Sequence, residues 1–443
     1  MTDPVTYIYL DEAPGQTRVA FICANGNQIL GVHDVTPNSI VEIWHRRWDA
    51  PSLVGTVHLA RIEQLFIAQN RATARLHDDT TISLRLRAKD RPVPGDIQAV
   101  TITAETREHK PAQAVLGARL VSRYGILLPG INGIFRSKGL SASDNDDAME
   151  SMLGSVLPDN FGFIIRSSAV ELSLDAMEDD VKALLVAWQA GAKTPSDQMH
   201  VARAPCLLHD GGGLAAQIAR HAPDAQLIEA QEPVARQDFA NMLDEVIDAA
   251  VMAQVPLPHG GQLWCQRTNA LWAIDLDSAG YNSPKASDMI QKLVADALPE
   301  IMRQIRLRSM GGVIFVDLPR LGSKAGKTIL AKLADACSGD PRQPEILGFT
   351  RSGLLEMRVP YGEKTLSDVM ADRIAQSALA GLRLVAHRIA MPPAPAEIEL
   401  AVSAPVGAWL SGKGEAACAA LDRPLRTVVL SELAPDAPAY IIN

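Results

Sequence analysis

The chain of 443 residues lacks most of the marks of secreted, membrane-spanning or disulfide-built proteins. Its five cysteines, Cys23, Cys206, Cys265, Cys337 and Cys418, are scattered singly. That spacing excludes a disulfide framework and a CxxC metal knuckle, and it suits a reducing cytoplasm. No apolar run approaches the roughly 18 residues that would cross a bilayer. The opening Met1-Thr2-Asp3-Pro4 has no basic flank leading into an apolar stretch, so no secretory signal is expected and a cytoplasmic location is. An excess of positive charge is missing too: 42 Lys and Arg stand against 51 Asp and Glu, a net charge of −9. This argues against a generic nucleic-acid binder but not against a specific one. Exposed charges more than about 8 Å apart are largely screened, so local clusters decide what a phosphate feels. Internal repeats and long low-complexity tracts are absent as well.

What is present is ordinary globular composition, 47% hydrophobic and 21% charged, on a chain long enough for two to four domains. Three basic clusters stand out: His45-Arg46-Arg47, Arg85-Leu86-Arg87-Ala88-Lys89-Asp90-Arg91, and Arg303-Gln304-Ile305-Arg306-Leu307-Arg308. Each reads equally as a solvated face or a phosphate contact.

Alternating apolar and polar residues over 1–47 predict antiparallel strands. Further short strands are expected at 54–62, 72–76, 81–86 and 97–103, the last two separated by Pro92-Val93-Pro94-Gly95-Asp96. Short, closely spaced strands suggest a small barrel such as an OB-fold. A β-rich block follows, including 119–128 and 162–167, then an amphipathic helix over 172–189. Beyond it come a strand at 204–208 and helices at 213–221 and 239–253. The triple glycine Gly211-Gly212-Gly213 lacks a GxGxxG frame and reads as the turn between that strand and the first of these helices. From Gly260 the expected order is strands 262–265 and 271–275, helix 287–308, strand 312–317, helix 328–336, and strands 346–350 and 354–358. A final unit holds a helix over 367–387 and strands 397–401 and 427–430.

Two aspartates close buried-looking strands: Asp275 in Ala273-Ile274-Asp275-Leu276-Asp277-Ser278, and Asp317 in Val313-Ile314-Phe315-Val316-Asp317. Apolar runs that must be buried deliver each carboxylate to a sheet edge. Carboxylates at strand ends are usual ligands for magnesium, the hard cation a phosphodiester hydrolase needs. They are also common turn and cap residues, and spacing alone leaves both readings open. Gly322-Ser323-Lys324-Ala325-Gly326-Lys327-Thr328 opens a helix after a strand, yet it is one residue short of a phosphate-cradling P-loop. Arg320, Lys324 and Lys327 therefore read as candidate phosphate-backbone contacts. His209 and His259 sit in glycine turns with no serine or cysteine framework, and no catalytic role is assigned to them.

The run from Arg303 through Arg308, Ser309-Met310-Gly311-Gly312 and on to Asp317 resembles the signature of the bacterial ribonuclease E/G family. Ala270-Leu271-Trp272-Ala273-Ile274-Asp275 resembles the family's first catalytic strand, and Thr350-Arg351-Ser352-Gly353-Leu354-Leu355-Glu356-Met357 its closing motif. The resemblance covers nearly the whole chain and is strongest from about Gly260 to Met357. It implies an α+β multidomain architecture. An RNase H-like domain (1–47 and 199–258) would be interrupted by an OB-fold (48–113) and a 5′-sensor (114–198). A DNase I-like catalytic domain (259–358), a linker (359–364) and a small C-terminal domain (365–443) would follow.

The same resemblance implies a magnesium-dependent endoribonuclease that cleaves single-stranded RNA in ribosomal RNA maturation or messenger decay. Asp275 and Asp317 match the two magnesium-holding aspartates, and Asp277 falls where the family has an asparagine that orients the attack. Arg166 and Ser167 match an Arg-Thr pair that grips a 5′-monophosphate, and Arg351 an arginine of the same pocket. A planar guanidinium beside a hydroxyl is a natural fork for a terminal phosphate. Arg136, in Gly133-Ile134-Phe135-Arg136, matches part of that sensor region, and Phe66 and Lys110 correspond to weaker RNA contacts of the OB-fold.

The departures are specific. Asn269 stands where the family carries a glutamate, and Asp277 supplies an acid nearby. The zinc-sharing cysteine pair after Met357 is replaced by Val359-Pro360-Tyr361-Gly362-Glu363-Lys364, so no zinc-linked dimer is expected, although another homo-oligomer is compatible. The segment Leu65-Phe66-Ile67-Ala68-Gln69-Asn70 lacks the glycines and second aromatic of an RNA-stacking face. These losses leave a rival reading, a non-catalytic RNA-binding or assembly protein on the same fold.

Overall fold

A computed structural model describes the chain except 1–4, 25–28, 30, 89, 108–109, 123, 138–145, 167–168, 170–171, 192–203, 282–285, 320–321, 339 and 443, and except the side chains of 146, 286–288, 323–324 and 338. Contacts divide it into two units, Met1–Ser52 with Asp224–Asn443, and Leu53–Pro223. Among the described residues no helix is long and apolar enough to cross a membrane.

The Leu53–Pro223 unit holds a closed barrel. Its strands are Val57–Phe66, Arg71–Arg75, Thr81–Arg85, Ile97–Ala104 and Gln113–Leu116. The fifth strand inserts between the third and fourth, parallel to the third, and the fourth returns to pair with the first. Alternation is the cause: Ala60, Ile62, Ala72, Ala74, Ile82, Leu84, Val100 and Ile102 fill the lumen. Arg61, Arg71 and Arg85 stay on the outside. A four-stranded sheet follows, in the order Gly133–Arg136, Phe161–Ile165, Gly125–Pro129, Leu120–Val121. Helices Asp146–Val156 and Leu174–Gly191 share its core, which includes Phe163 and Trp188. The strand Cys206–His209 pairs antiparallel with Val57–Phe66, so the contact boundary falls after Pro223 rather than at the expected 199. Gly211, Gly212 and Gly213 all have positive φ between that strand and helix Gly213–His221, a turn only glycine makes cheaply. His209 stacks on Trp188 at 4.9 Å and its ring meets the Ala187 carbonyl and the Gly211 N–H, a satisfied core histidine.

In the other unit, Tyr7–Ala13, Gln16–Ile22 and Ile40–Arg47 form the expected antiparallel meander, joined by the parallel Gln226–Ile228. Helix Pro233–Val251 packs Phe239, Leu243 and Ile247 against it. It begins earlier than the expected 239 because Pro233 sits in the first turn, where a missing N–H costs nothing. The expected helix over 367–387 is two, Leu366–Met370 and Arg373–Ala390, each with its own cap: Thr365 Oγ1 accepts from the Asp368 N–H and Asp372 Oδ1 from the Ala375 N–H. The second helix packs on a small sheet of Ile398–Val402, Leu425–Val429 and Tyr440–Ile441.

Between these in sequence comes a six-stranded sheet in the order Gln254–Pro256, Gln262–Arg267, Leu271–Asp277, Gly312–Asp317, Leu355–Val359, Glu345–Phe349. Val359 ends a strand, so the connection to the last domain is shorter than 359–364. Helix Ala286–Leu307 lays Leu293, Ala297, Ile301 and Ile305 against one face, and helix Ser323–Ser338 adds Ile329 and Leu333. Gly311 just precedes the fourth strand and Gly312 opens it, both with Tyr361 lying against them. A Cβ on Gly312 would come within 2.2 Å of its hydroxyl.

Candidate active site

The strands Leu271–Asp277 and Gly312–Asp317 are the two central strands of this sheet, adjacent and parallel. Register pairs Leu271 with Val313 and so brings Asp275 opposite Asp317. Trp272, Ile274 and Leu276 on one strand, and Ile314 and Val316 on the other, point into the core. The period-two alternation therefore turns both aspartates outward, and both are exposed. In-register neighbours lie about 4.8 Å apart, so the carboxylates stand side by side on one open face. Their mutual repulsion registers in protonation. Asp275 is held above the usual carboxylate range, first by partial burial, then by the charges of Asp317 and Asp277.

Asp277 is differently occupied. Its Oδ2 accepts from Gln262 Nε2 at 2.9 Å and its Oδ1 from the Ala279 N–H at 2.9 Å. These hydrogen bonds stabilise the ionised form and depress its pKa. It shapes the turn after the strand and adds negative field beside Asp275. Its own oxygens are already engaged.

The same end of the sheet collects the candidate cations. Leu355 pairs with Val316, which puts the turn at 350–354 beside Asp317. That turn is closed by Thr350 N–H to the Leu354 carbonyl and Gly353 N–H to the Thr350 carbonyl, and it presents Arg351 to solvent. Helix Ser323–Ser338 starts a few residues after Asp317 and exposes Lys327. Arg320 and the side chain of Lys324 lie outside the described residues.

A hard cation fits this donor set. Two neighbouring carboxylates, one destabilised by the other, gain from a positive ion between them, and magnesium typically takes one or two carboxylates and keeps several waters. Among the described residues no group of three or more His, Cys, Asp or Glu converges as a cage. Cys265 and Cys337 are buried, and burial lifts their thiols to about 11 and about 12, the reverse of what a thiolate ligand requires.

The basic clusters of this unit serve the interior. Arg306 Nη2 binds Glu42 Oε2 at 2.9 Å with both side chains about 6% exposed. Arg308 donates to Gln304 Oε1 and the Met252 carbonyl, and Arg303 to the carbonyls of Ile40 and Pro37. Arg46 pairs with Glu363, and Arg47 with Asp49 and Asp372. His45 lies among them. Burial, then the charges of Arg18 and Arg383, lower its pKa to about 3, which keeps the imidazole neutral near neutral pH. These cations bind the unit's own elements together.

Position 269 is instructive. Asn269 lies in the hairpin turn before Leu271, at the opposite end of the strand from Asp275. The four strand steps from Leu271 to Asp275 alone span about 13 Å, and the turn lies beyond them, too far for a direct part in holding a cation. Asp277 therefore compensates for nothing that is lost there.

The remaining candidates belong to the Leu53–Pro223 unit. Arg166 follows strand Phe161–Ile165, is half-buried, and donates from Nη1 to the Ser122 carbonyl at 2.8 Å. Removal from water lowers its pKa. Ser167 is outside the described residues. Arg136 ends the neighbouring strand and pairs with Glu150 at 3.0 Å. Phe66 closes the first barrel strand opposite Arg71, half-buried, and Lys110 is exposed. Arg166 and Arg351 thus belong to different units.

Sequence reasoning passed over Gln262, Trp264 and Phe315. Gln262 faces Asp277 and Trp264 faces Asp275 across an antiparallel pairing, while Phe315 precedes Asp317 by two. The alternation within Gln262-Leu263-Trp264-Cys265 was the available signal for which face they share.

The chain is similar to ribonuclease E of Haemophilus influenzae, 26% identical over 315 residues, which is 63% of this chain and 33% of that protein. With ribonuclease E of Escherichia coli it is 26% identical over 294 residues, 58% and 27% of the two. With ribonuclease G of Escherichia coli it is 23% identical over 291 residues, 59% of each. The matched segment thus spans well under two thirds of these relatives. The model of the ribonuclease E/G family matches residues 119–234 and 227–358, together more than half of the chain and including both exposed aspartates. With strands, register and motif all in agreement, this chain belongs to the ribonuclease E/G family.

Proposed function

We propose that the protein is a magnesium-dependent endoribonuclease that cuts single-stranded RNA at Asp275 and Asp317. The observation that carries this is their pairing in register on adjacent parallel strands, exposed on one face. A cation held there supplies charge to a phosphate oxygen and makes water a better nucleophile at neutral pH. The chain's own contribution is placement. The buried runs of the two strands hold both carboxylates rigidly, so little reorganisation is needed as charge develops. Gln262 and the Ala279 N–H hold Asp277 at the margin of the site, and Arg351 and Lys327 offer phosphate contacts at the same end of the sheet.

In this reading the closed barrel is the OB-fold, with strand order one-two-three-five-four returning to one, and Phe66 and Lys110 are its RNA contacts. The four-stranded sheet after it belongs to the 5′-sensor, where Arg166, assisted by Arg136, meets a terminal monophosphate; Ser167 and Arg351 stand as phosphate contacts on the family resemblance alone. The meander of 1–47 is the RNase H-like part, the six-stranded sheet the DNase I-like domain, and 365–443 the small C-terminal domain. The substrates are ribosomal RNA precursors or messengers in the cytoplasm, and any homo-oligomer forms without zinc. The rival reading of a non-catalytic RNA binder rests on Asn269 and on the weakened OB face; Asn269 lies in the turn at the far end of the strand from Asp275, so the barrel face is the stronger ground for it.

The test is a 5′-monophosphorylated single-stranded RNA oligomer incubated with the protein, with and without magnesium. Cleavage that requires magnesium and disappears in Asp317→Asn is expected. Binding without cleavage under all conditions would overturn the assignment in favour of the rival.

A further inference from the structure

The face that carries Asp275 and Asp317 also carries two aromatic rings. Trp264 lies directly opposite Asp275 on the neighbouring strand, so both project from the same side with Cβ atoms about 5 Å apart. Phe315 lies two residues before Asp317 and opposite Ala273, which is itself two residues before Asp275. The rings therefore sit diagonally across the central strands, and between them is a residue with only a methyl group. Trp264, Ala273 and Phe315 are half-buried, and none belongs to the hydrophobic core on the other side of the sheet.

We propose that Trp264 and Phe315 form a stacking platform for the bases that flank the phosphate brought to Asp275 and Asp317. This rests on the nuclease reading and adds a subsite to it. The charge pattern selects the occupant. Asp275, Asp277, Asp317 and Glu356 all face this side, so an uncompensated phosphate backbone lying across the rings is repelled. A base is uncharged, flat and polarisable, and single-strand binders hold bases on aromatic rings regardless of their hydrogen-bonding edges. Arg358, exposed opposite Val313 one step farther along the face, can take the next phosphate once the strand has passed the acidic end. A stacked base must be unpaired, so the platform would itself favour single strands over duplex.

The experiment uses the full chain carrying Asp317→Asn, so that binding is read by fluorescence anisotropy whether or not the parent cleaves. A set of single-stranded RNA oligomers with one abasic position walked along the strand is titrated. Loss of the stacked base should weaken binding about 5- to 150-fold at one or two adjacent positions. Adding Trp264→Val or Phe315→Val should flatten the profile at one of those positions only, while Trp264→Phe retains it. A profile with no position sensitive to either substitution, or variants that weaken every oligomer equally, would overturn the platform. Altered sedimentation of Trp264→Val with an unchanged base profile would also overturn it, assigning the face to a second copy of the chain. If the parent without Asp317→Asn fails to cleave, the nuclease reading falls, and the anisotropy profile still decides the platform.

Discussion

The run from Arg303 to Asp317 carries charge at both ends, three arginines at one and a single aspartate at the other, and the two ends have opposite fates. The arginines at the helical end face inward: Arg306 is locked to Glu42, and Arg303 and Arg308 hold carbonyls and Gln304. The aspartate at the strand end faces outward beside its twin, with no salt bridge to either among the described residues. The contrast shows that charge within one motif divides between holding the scaffold and standing on an open face, and burial separates the two. A buried cation without its partner is costly, so it is kept paired. An exposed carboxylate such as Asp275, whose pKa is raised beside a second one, is poised to take a ligand.

The largest effect should come from breaking the scaffold end. Glu42→Ala leaves the Arg306 guanidinium buried without its carboxylate and also removes the acceptor of the Trp44 indole N–H. A loss of about 3–5 kcal/mol in unfolding free energy is expected. Denaturant melts measure it, and any cleavage by the fraction still folded should keep its rate per folded molecule. A stability near that of the parent would mean that the helical end is not structural after all.

Asp317→Asn breaks the other end. A fall of about 10²–10³ in kcat, roughly 3–4 kcal/mol in the barrier, is expected with an unaltered melting transition. The pH profile sharpens the point. Asp275 must be ionised to hold a cation, and its pKa is raised, so activity should begin to fall on acidification at a higher pH than for an ordinary carboxylate. The stability sign is opposite: the ionised Asp275 weakens the fold above its raised pKa, and protonation relieves that. Removing the Asp317 charge should move the acid limb of the residual activity downward. An acid limb that stays put would show that the two carboxylates do not sense one another.

The second unit offers a milder test. Arg166→Ala should cost about 10- to 150-fold in kcat/KM on monophosphorylated RNA, the worth of one or two charge-assisted hydrogen bonds, and little on 5′-hydroxyl RNA. Equal losses on both substrates would reduce Arg166 to its bond with the Ser122 carbonyl. Smallest of all is Asn269→Glu. The acid returns beyond the far end of the strand, more than about 13 Å from Asp275, so kcat/KM should change less than about twofold. A larger gain would mean that the hairpin turn reaches substrate.

By itself the sequence determined the elements and the aspartates. Period-two alternation marked the strands, glycines and prolines their turns, and apolar runs ending in Asp275 and Asp317 marked the edge, because burial of a strand face is a local pattern. Helix ends were missed by up to six residues where Pro233 stood inside the first turn or where Asp372 started a new helix, since caps depend on geometry more than on composition. The destination of charge lay beyond reach. Nothing in 303–308 distinguishes a cation meant for Glu42 from one meant for RNA, because Glu42 is over 250 residues away in the chain. The same holds for register. Only the pairing of Leu271 with Val313 puts Asp275 against Asp317, and Trp264 beside them, while the length of one strand carries Asn269 away from all three. Such proximity is a property of sheet assembly, which joins strands distant in sequence through backbone hydrogen bonds that no single residue encodes.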